Sequence, residues 1–79
     1  MSETTDVTVD DTGIRLGQLL KYAGVADSGA DAKTLLAEGD VRVNGEPEDR
    51  RGRQLFAGDV VDVDGPGGRA RVVLHATLD

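Results

Sequence analysis

Apolar residues recur at helical spacing near the start of the chain. Positions i, i+3, i+4 and i+7 of one segment are occupied by Leu16, Leu19, Leu20 and Ala23. This spacing aligns them along one face of an α-helix, so the segment is predicted to form an amphipathic helix. Gly24 follows directly and marks the predicted end of the helix.

A second amphipathic helix is predicted between Ser28 and Gly39. Ser28 can cap the helix, and Asp31, three residues on, completes a capping box with it. Gly39 suits the left-handed residue that often closes a helix. The connection from the first helix is short, which favours two helices packed as neighbours. The predicted core-facing residues of the second helix are Ala32, Leu35 and Leu36.

A strand and a tight turn follow the second helix at once. Val41 and Val43 alternate with polar residues, as expected for a strand with one buried face. Asn44-Gly45 is a residue pair favoured in hairpin turns, where positive φ angles are required. The helix is therefore predicted to lead directly into a β-hairpin.

The rest of the chain contains shorter apolar runs separated by turn-forming residues. Valines that alternate with polar residues favour strands, whereas glycine, proline and aspartate favour the turns between them. The predicted elements are an edge strand or ordered arm at 5–10, an exposed hairpin limb at 46–53, core contacts at Leu55 and Phe56, a turn at Gly58-Asp59, a strand at 60–63, a turn at 65–68 and a strand at 71–76.

The length of 79 residues favours a single domain with a thin hydrophobic core. We expect an acidic N-terminal arm or edge strand at 1–13 and the main domain at 14–79. The chain lacks cysteine, so neither disulfides nor thiolate metal sites can reinforce the fold. Its first residues are polar and acidic and its apolar runs are short, which predicts a cytoplasmic protein without a signal peptide.

The net charge of −6 argues against a nucleic-acid-binding role, since such proteins usually present a basic surface. The distribution of the charges weakens this objection. Residues 1–13 contain four acids and no base, whereas residues 14–58 contain seven bases and seven acids. Three of these bases, Arg50, Arg51 and Arg53, fall within four positions. The middle of the chain is therefore neutral overall and locally basic.

The residues of the second helix and the hairpin resemble a known family in their order and spacing. The resemblance is to the RNA-binding domain named after bacterial ribosomal protein S-4, and within it to the small stand-alone YbcJ-type proteins. It covers roughly 14–63, and Ser28-Gly29 stands where longer members often carry Ser-Arg. The residues that carry it are Ala32, Lys33, Leu36, Gly39, Val41, Val43, Asn44, Gly45 and the run Gly58-Asp59-Val60-Val61-Asp62-Val63.

This resemblance implies an α+β fold, the alpha-L motif, in which two short helices pack on a small, mostly antiparallel β-sheet. It also implies a non-catalytic module that binds structured RNA across the helices and the neighbouring hairpin, with ribosomal RNA, assembling ribosomal subunits or transfer RNA as targets. The chain has one tyrosine, one phenylalanine and no tryptophan, too few for a base-stacking platform. Recognition of RNA shape and backbone is therefore predicted.

Basic residues of the hairpin limb and the helices are the candidate RNA contacts. Guanidinium groups bind phosphate oxygens bidentately and stay charged at physiological pH, so the limb arginines are predicted to form a phosphate clamp. A solvated limb, partly neutralised by nearby acids, is the alternative. Asn44 belongs to the set, although its backbone conformation is the favoured reason for its presence. The predicted RNA-binding residues are Arg15, Lys21, Lys33, Arg42, Asn44, Arg50, Arg51 and Arg53.

No pattern in the sequence indicates catalysis, a cofactor or a metal site. His75 is the only histidine, and no cysteine accompanies it, so a structural role is favoured over metal ligation. Two rival functions stay open. The acidic arm and tail could dock the protein on a basic ribosomal or RNA-processing partner, or the chain could act as an accessory domain beside a separate RNA-modifying enzyme.

Overall fold

The computed structural model describes residues 2–65 and 68–77. In these parts of the chain there are two helices and seven strands. The helices are α1 (Leu16–Tyr22) and α2 (Gly29–Ala37). The strands are β1 (Ser2–Val9), β2 (Ile14–Arg15), β3 (Val41–Val43), β4 (Glu46–Pro47), β5 (Gln54–Leu55), β6 (Val60–Gly65) and β7 (Gly68–Ala76).

Five of the strands form one sheet in the order β1-β7-β6-β3-β4. Neighbouring strands pair antiparallel except at one edge, where β1 runs parallel to β7 with Ser2 opposite Arg69 and Val9 opposite Ala76. β2 and β5 pair antiparallel as a separate two-stranded sheet. The predicted α+β fold, two short helices on a mostly antiparallel sheet, is confirmed.

A single hydrophobic core joins the helices to the inner face of the sheet. Val41 and Val43 are buried while Arg42 between them is exposed, as the alternating pattern predicted. Leu35 is partly buried and packs against this core. The buried apolar residues are Val7, Val9, Leu16, Leu19, Leu20, Ala26, Ala32, Leu36, Val41, Val43, Leu55, Val61, Val63, Val72 and Leu74.

The predicted ends of α2 are largely confirmed. Ser28 caps the helix, its Oγ accepting a hydrogen bond from the Asp31 amide at 3.2 Å. The predicted capping box is only half formed, because the Asp31 carboxylate accepts no hydrogen bond from the Ser28 amide within residues 2–65 and 68–77. Aspartate is one methylene shorter than the glutamate that usually makes this return bond. Gly39 has a φ of 77°, the left-handed conformation predicted for the closing residue.

The predicted hairpin joins β3 to β4 by a two-residue turn. Asn44 and Gly45 have φ angles of 52° and 85°, so both adopt the positive values that this turn requires. Val43 and Glu46 flank the turn as opposing residues of the antiparallel pair. The backbone from α2 to β4 therefore follows the sequence prediction closely.

Two side chains contradict the sequence prediction. Phe56 was predicted to enter the core, but 48% of its surface is exposed. Leu55 is fully buried, and since successive side chains of an extended segment point to opposite sides, its neighbour turns outward. The prediction of an exposed limb at 46–53 is wrong for Glu48, which is only 6% exposed. Charged hydrogen-bond partners from its own loop permit this burial.

β1 and β7, which are far apart in sequence, lie side by side in the sheet. β1 lies at the sheet edge and contributes Val7 and Val9 to the core. β7 begins at Gly68, three residues before the predicted start. The turn predicted at 65–68 includes Pro66 and Gly67, which lie outside the described residues. In the described parts of the chain no helix is long and apolar enough to cross a membrane.

Candidate nucleic-acid interface

The nine basic residues of the chain, all within its described parts, divide into a paired and an unpaired group. Each paired arginine lies 3.6 Å or less from a carboxylate oxygen. The paired residues are Arg42, Arg50, Arg53, Arg69 and Arg71. The residues that form no ion pair with any described residue are Arg15, Lys21, Lys33 and Arg51.

The outer face of the sheet, which points away from the core, carries three of the paired arginines. Arg69 Nε donates to Asp64 Oδ1 at 2.9 Å, and Arg42 Nη1 lies 3.6 Å from Asp64 Oδ2. Arg71 Nε donates to Asp62 Oδ1 at 2.8 Å. The bond to Asp64 raises the pKa of Arg69 above its ordinary value. Positive charge on this face is therefore largely matched by aspartates of the neighbouring strand β6.

Asn44 is engaged by the turn that precedes β6. Its Nδ2 donates to Asp59 Oδ1 at 3.0 Å, and its Oδ1 accepts from the Val60 amide at 2.9 Å. Both ends of the side-chain amide are thus occupied. The arrangement holds the β3–β4 hairpin against the start of β6, which gives Asn44 a structural reason for its place in the turn.

A cluster that we call the Glu48 clasp organises the loop 48–53. It consists of the Glu48 carboxylate and the hydrogen bonds that this group accepts. Oε2 accepts from the amides of Asp49 and Arg50 at 3.0 and 3.1 Å, and from Arg50 Nε at 3.2 Å. Oε1 accepts from Arg50 Nη2 at 3.1 Å and from Arg53 Nη1 at 3.0 Å. These charge-assisted bonds compensate for the burial of the carboxylate.

The clasp keeps Glu48 ionised. The side-chain bonds from Arg50 are the largest cause, and with the bond from Arg53 they outweigh burial and lower the pKa of Glu48 from 4.5 to about 2. The same pairing raises the pKa of Arg50. At neutral pH the carboxylate therefore offsets positive charge on both arginines. The Arg50 side chain stays 74% exposed and that of Arg53 only 32%.

The loop 48–53 docks on the N-terminus of α1 through its backbone. The Leu16 amide donates to the Arg53 carbonyl and the Gly17 amide to the Arg51 carbonyl, both at 2.9 Å. The first amides of a helix have no partner within the helix, so these carbonyls satisfy two of them. Gly17 permits the contact, because a Cβ at this position would collide with Cγ of Arg51. The stem of the Arg51 side chain thus lies directly against α1.

Unpaired basic residues meet at a cleft between α1, the start of α2 and the loop 48–53. We call it the cationic cleft, and its volume is about 310 Å³. Lys33 lies four residues after Gly29, a residue of the cleft wall, so the two share one face of α2. The lining residues are the cations Arg15, Lys21 and Arg51 together with Gly17, Gln18, Gly29 and Gly52.

A cleft of opposite charge lies beside the end of β1 and the end of β7. Its volume is about 400 Å³, and its lining includes Asp10, Asp11 and the exposed Phe56 but no basic residue. Hydrogen bonds from Thr12, first from its hydroxyl and then from its amide, lower the pKa of Asp10. An anionic ligand is therefore attracted to the cationic cleft and repelled from this one.

The structure separates the predicted site residues by location. Arg15, Lys21 and Arg51 line the cationic cleft. Lys33 lies one helical turn from its wall. The predicted residues found elsewhere, in the outer sheet face, the hairpin turn and the Glu48 clasp, are Arg42, Asn44, Arg50 and Arg53. Contact of any of these residues with RNA stays a prediction.

Sequence reasoning missed two residues that shape this site, Glu48 and Gly17. The signal for Glu48 is a carboxylate two residues before Arg50 and five before Arg53, a spacing that sequence alone does not distinguish from the nearby acids of a solvated limb. For Gly17 the sequence offers no signal, because its role depends on contact with Arg51, far along the chain.

The lone histidine joins the two neighbouring strands at the sheet edge. His75 Nε2 on β7 lies 2.8 Å from Asp6 Oδ1 on β1. Within residues 2–65 and 68–77 no three histidine or acidic side chains are grouped so that they could hold a metal ion. We interpret the contact between His75 and Asp6 as a structural link between β7 and β1.

Comparison with known proteins gives the family. A protein-family model described as S4 domain matches residues 7–75, which include α1, α2 and the loop 48–53. The chain belongs to the S4 domain family. It is 51% identical over 61 residues to a Bacillus subtilis (strain 168) protein named "Probable ribosome maturation protein RlbA", a match that covers 77% of this chain and 86% of the relative.

The protein YbcJ of Escherichia coli is similar in both sequence and structure. The YbcJ of strain K12 is 42% identical over 52 residues, which is 66% of this chain and 74% of that one. The solution structure of YbcJ from E. coli matches with a TM-score of 0.60 and 36% identity over 89% of this chain and 85% of that one. That structure is described as revealing an alfaL motif involved in RNA-binding. The predicted family is thus confirmed.

Proposed function

We propose that this protein is a non-catalytic module that binds structured RNA through phosphate contacts at the cationic cleft. Ribosomal RNA, an assembling ribosomal subunit or transfer RNA is the target. The similarity to a protein named for ribosome maturation and to a structure described as carrying an RNA-binding motif supports RNA as the ligand. The cleft supports phosphate as the group that is contacted.

The observation that carries the proposal is the position of the unpaired cations. Three of the four such residues, Arg15, Lys21 and Arg51, line one cleft. A cation that already has a carboxylate partner must share or lose it to bind a phosphate, whereas an unpaired cation exchanges only water and counterions. The cleft is therefore the part of the surface best suited to phosphate.

With a net charge of −6, RNA binding requires a local group of unpaired cations such as the cationic cleft. A protein with that charge has little long-range attraction for RNA, so binding must come from local contacts. If about three to four phosphates are neutralised, the logarithm of RNA affinity should fall against the logarithm of salt concentration with a slope of about −2 to −3.

A salt series of RNA affinities tests the proposal. The test variant carries Lys21→Gln and Arg51→Gln, and the control carries Arg69→Gln and Arg71→Gln, which removes the same charge from the outer sheet face. The cleft variant should bind structured ribosomal or transfer RNA at least tenfold more weakly and with a shallower salt slope, whereas the control should stay near wild type. Equal losses in both variants would contradict a role for the cleft.

A second candidate function is supported by the acidic cleft near Asp10, Asp11 and the exposed Phe56. In this function the protein is an adaptor that docks on a basic ribosomal or RNA-processing protein. The variant Asp6→Asn, Asp10→Asn, Asp11→Asn separates the two functions. RNA binding at the cationic cleft should be unchanged or stronger in it, because acids near phosphates repel them. A clear loss of RNA binding with an unchanged circular-dichroism spectrum would show that the acidic arm is not a bystander in RNA binding, whereas an adaptor should lose its basic protein partner in this variant.

A further inference from the structure

Among the described residues, Glu48 is the one charged side chain that is buried. Its negative charge alone would weaken RNA binding at this site. It lies in the same loop as Arg51, a cation of the cleft wall. A carboxylate near a phosphate site lowers affinity by repulsion. Its presence there, with five hydrogen bonds, indicates a role in the shape of the loop.

The bonds of the clasp connect the beginning of the loop to its end. Oε2 binds the amides of Asp49 and Arg50, which turns the chain directly after Glu48. Oε1 binds the guanidinium of Arg53, which fixes the other end. The Arg53 amide in turn donates to the Arg50 carbonyl at 3.3 Å. The segment between these residues is held as a closed loop.

Arg51 lies inside this closed loop, between the clasp and α1. Its carbonyl accepts from the Gly17 amide, and its side-chain stem lies against the Gly17 Cα. Glu48 occupies the guanidinium groups on either side of it in sequence, those of Arg50 and Arg53. Arg51 is left as the loop arginine that lines the cationic cleft.

We propose that Glu48 is a positioning residue for RNA binding, which holds Arg51 in the cationic cleft and so raises RNA affinity in spite of its negative charge. The inference rests on the proposed function. It makes a prediction opposite in sign to simple electrostatics, by which removal of an acid from a phosphate-binding loop strengthens binding. The gain comes from preorganisation, since an arginine held in place loses less conformational entropy on binding.

The test compares Glu48→Gln with Glu46→Gln. Both variants change the net charge by the same amount, but Glu46 is exposed and makes no side-chain hydrogen bond to a described residue. RNA affinity should be equal or higher in Glu46→Gln. In Glu48→Gln it should fall about tenfold, the equivalent of one lost charge-assisted contact. Equal or tighter RNA binding by folded Glu48→Gln would overturn the inference.

A double-mutant cycle shows whether Glu48 acts through Arg51. In the Arg51→Gln background, Glu48→Gln should weaken RNA binding by less than twofold, because the side chain that it positions is absent. A purely structural role would instead weaken binding equally in both backgrounds. If Arg51→Gln alone leaves RNA affinity unchanged, the proposed function itself fails. If Arg51→Gln weakens binding and Glu48→Gln does not, only the inference fails.

Glu48→Asp provides a second variant should Glu48→Gln not fold. The shorter side chain keeps the charge but cannot reach the loop amides and Arg53 at once. RNA affinity should be intermediate between wild type and Glu48→Gln, with a loss of about threefold that disappears in the Arg51→Gln background. Wild-type affinity in a folded Glu48→Asp would count against the positioning role.

Discussion

Gly17 and Arg51 lie in contact across the junction of α1 and the loop 48–53, and a Cβ at Gly17 would collide with Cγ of Arg51. Alanine in place of glycine usually favours a helix by roughly 0.5–1 kcal/mol. Here we expect the opposite sign. Gly17→Ala should lower the midpoint of thermal unfolding and weaken RNA binding, because Arg51 must leave its place in the cationic cleft.

Gly29→Ala is the matched control for this substitution. Gly29 also lies in a helix, but a Cβ there meets no atom within 4 Å. The thermal midpoint of Gly29→Ala should be unchanged or higher, by an amount that corresponds to at most about 1 kcal/mol in the free energy of unfolding. If both variants are equally stable, the contact between Gly17 and Arg51 does not constrain the loop.

Arg50 and Arg51 are adjacent, but substitution by glutamine should mainly lower stability at Arg50 and mainly lower RNA affinity at Arg51. Arg51→Gln should lower RNA affinity with little change in stability, since Arg51 forms no ion pair with the described residues. Arg50→Gln should lower stability more, because it removes two side-chain donors from the buried Glu48 carboxylate. RNA titrations and urea unfolding of both variants check this, and the reverse order of effects would contradict the assignment.

The clasp should make stability depend on pH in the acid range. The pKa of Glu48 is about 2 in the folded protein, below its ordinary value of 4.5. The clasp therefore contributes stability fully above about pH 4.5, and this contribution is lost as the pH falls towards 2. Urea unfolding of wild type and Glu48→Gln at several pH values tests it. The stability advantage of wild type should shrink on acidification, and a constant difference would exclude the pairing.

Leu36→Ala tests the packing of α2 on the sheet. Leu36 is only 2% exposed in the core, so its truncation should cost about 2–5 kcal/mol in the free energy of unfolding. Leu35→Ala should cost less, because Leu35 is only partly buried. Thermal unfolding measures both. A midpoint for Leu36→Ala within a degree or two of wild type would show that the buried face of α2 is wrongly assigned.

The parts of the fold that sequence predicted are those in which the signal is local. Ser28 and Gly39 mark the ends of α2 because capping and positive φ are properties of single residues and their neighbours. Val41 and Val43 reveal the buried face of β3 because side chains alternate along a strand. Such features need no knowledge of which elements meet.

The paired and unpaired bases could not be separated from sequence, because pairing depends on register and docking. Arg69 meets Asp64 because both flank the β6–β7 connection, where the two strands pair antiparallel. Arg51 enters the cleft because its loop docks on α1, which lies far earlier in the chain. Among three neighbouring limb arginines, only this tertiary contact singles out Arg51.

The parallel pairing of β1 with β7 has a consequence for the order of folding. Ser2 pairs with Arg69, so β1 hydrogen-bonds to a strand that lies far later in the chain. Contacts between residues so distant in sequence form slowly, because the loop-closure entropy is lost before they form. During translation β1 stays without its partner strand until β7 has left the ribosome. The α1–α2 half, whose contacts are more local, should acquire structure first, and the sheet should close last.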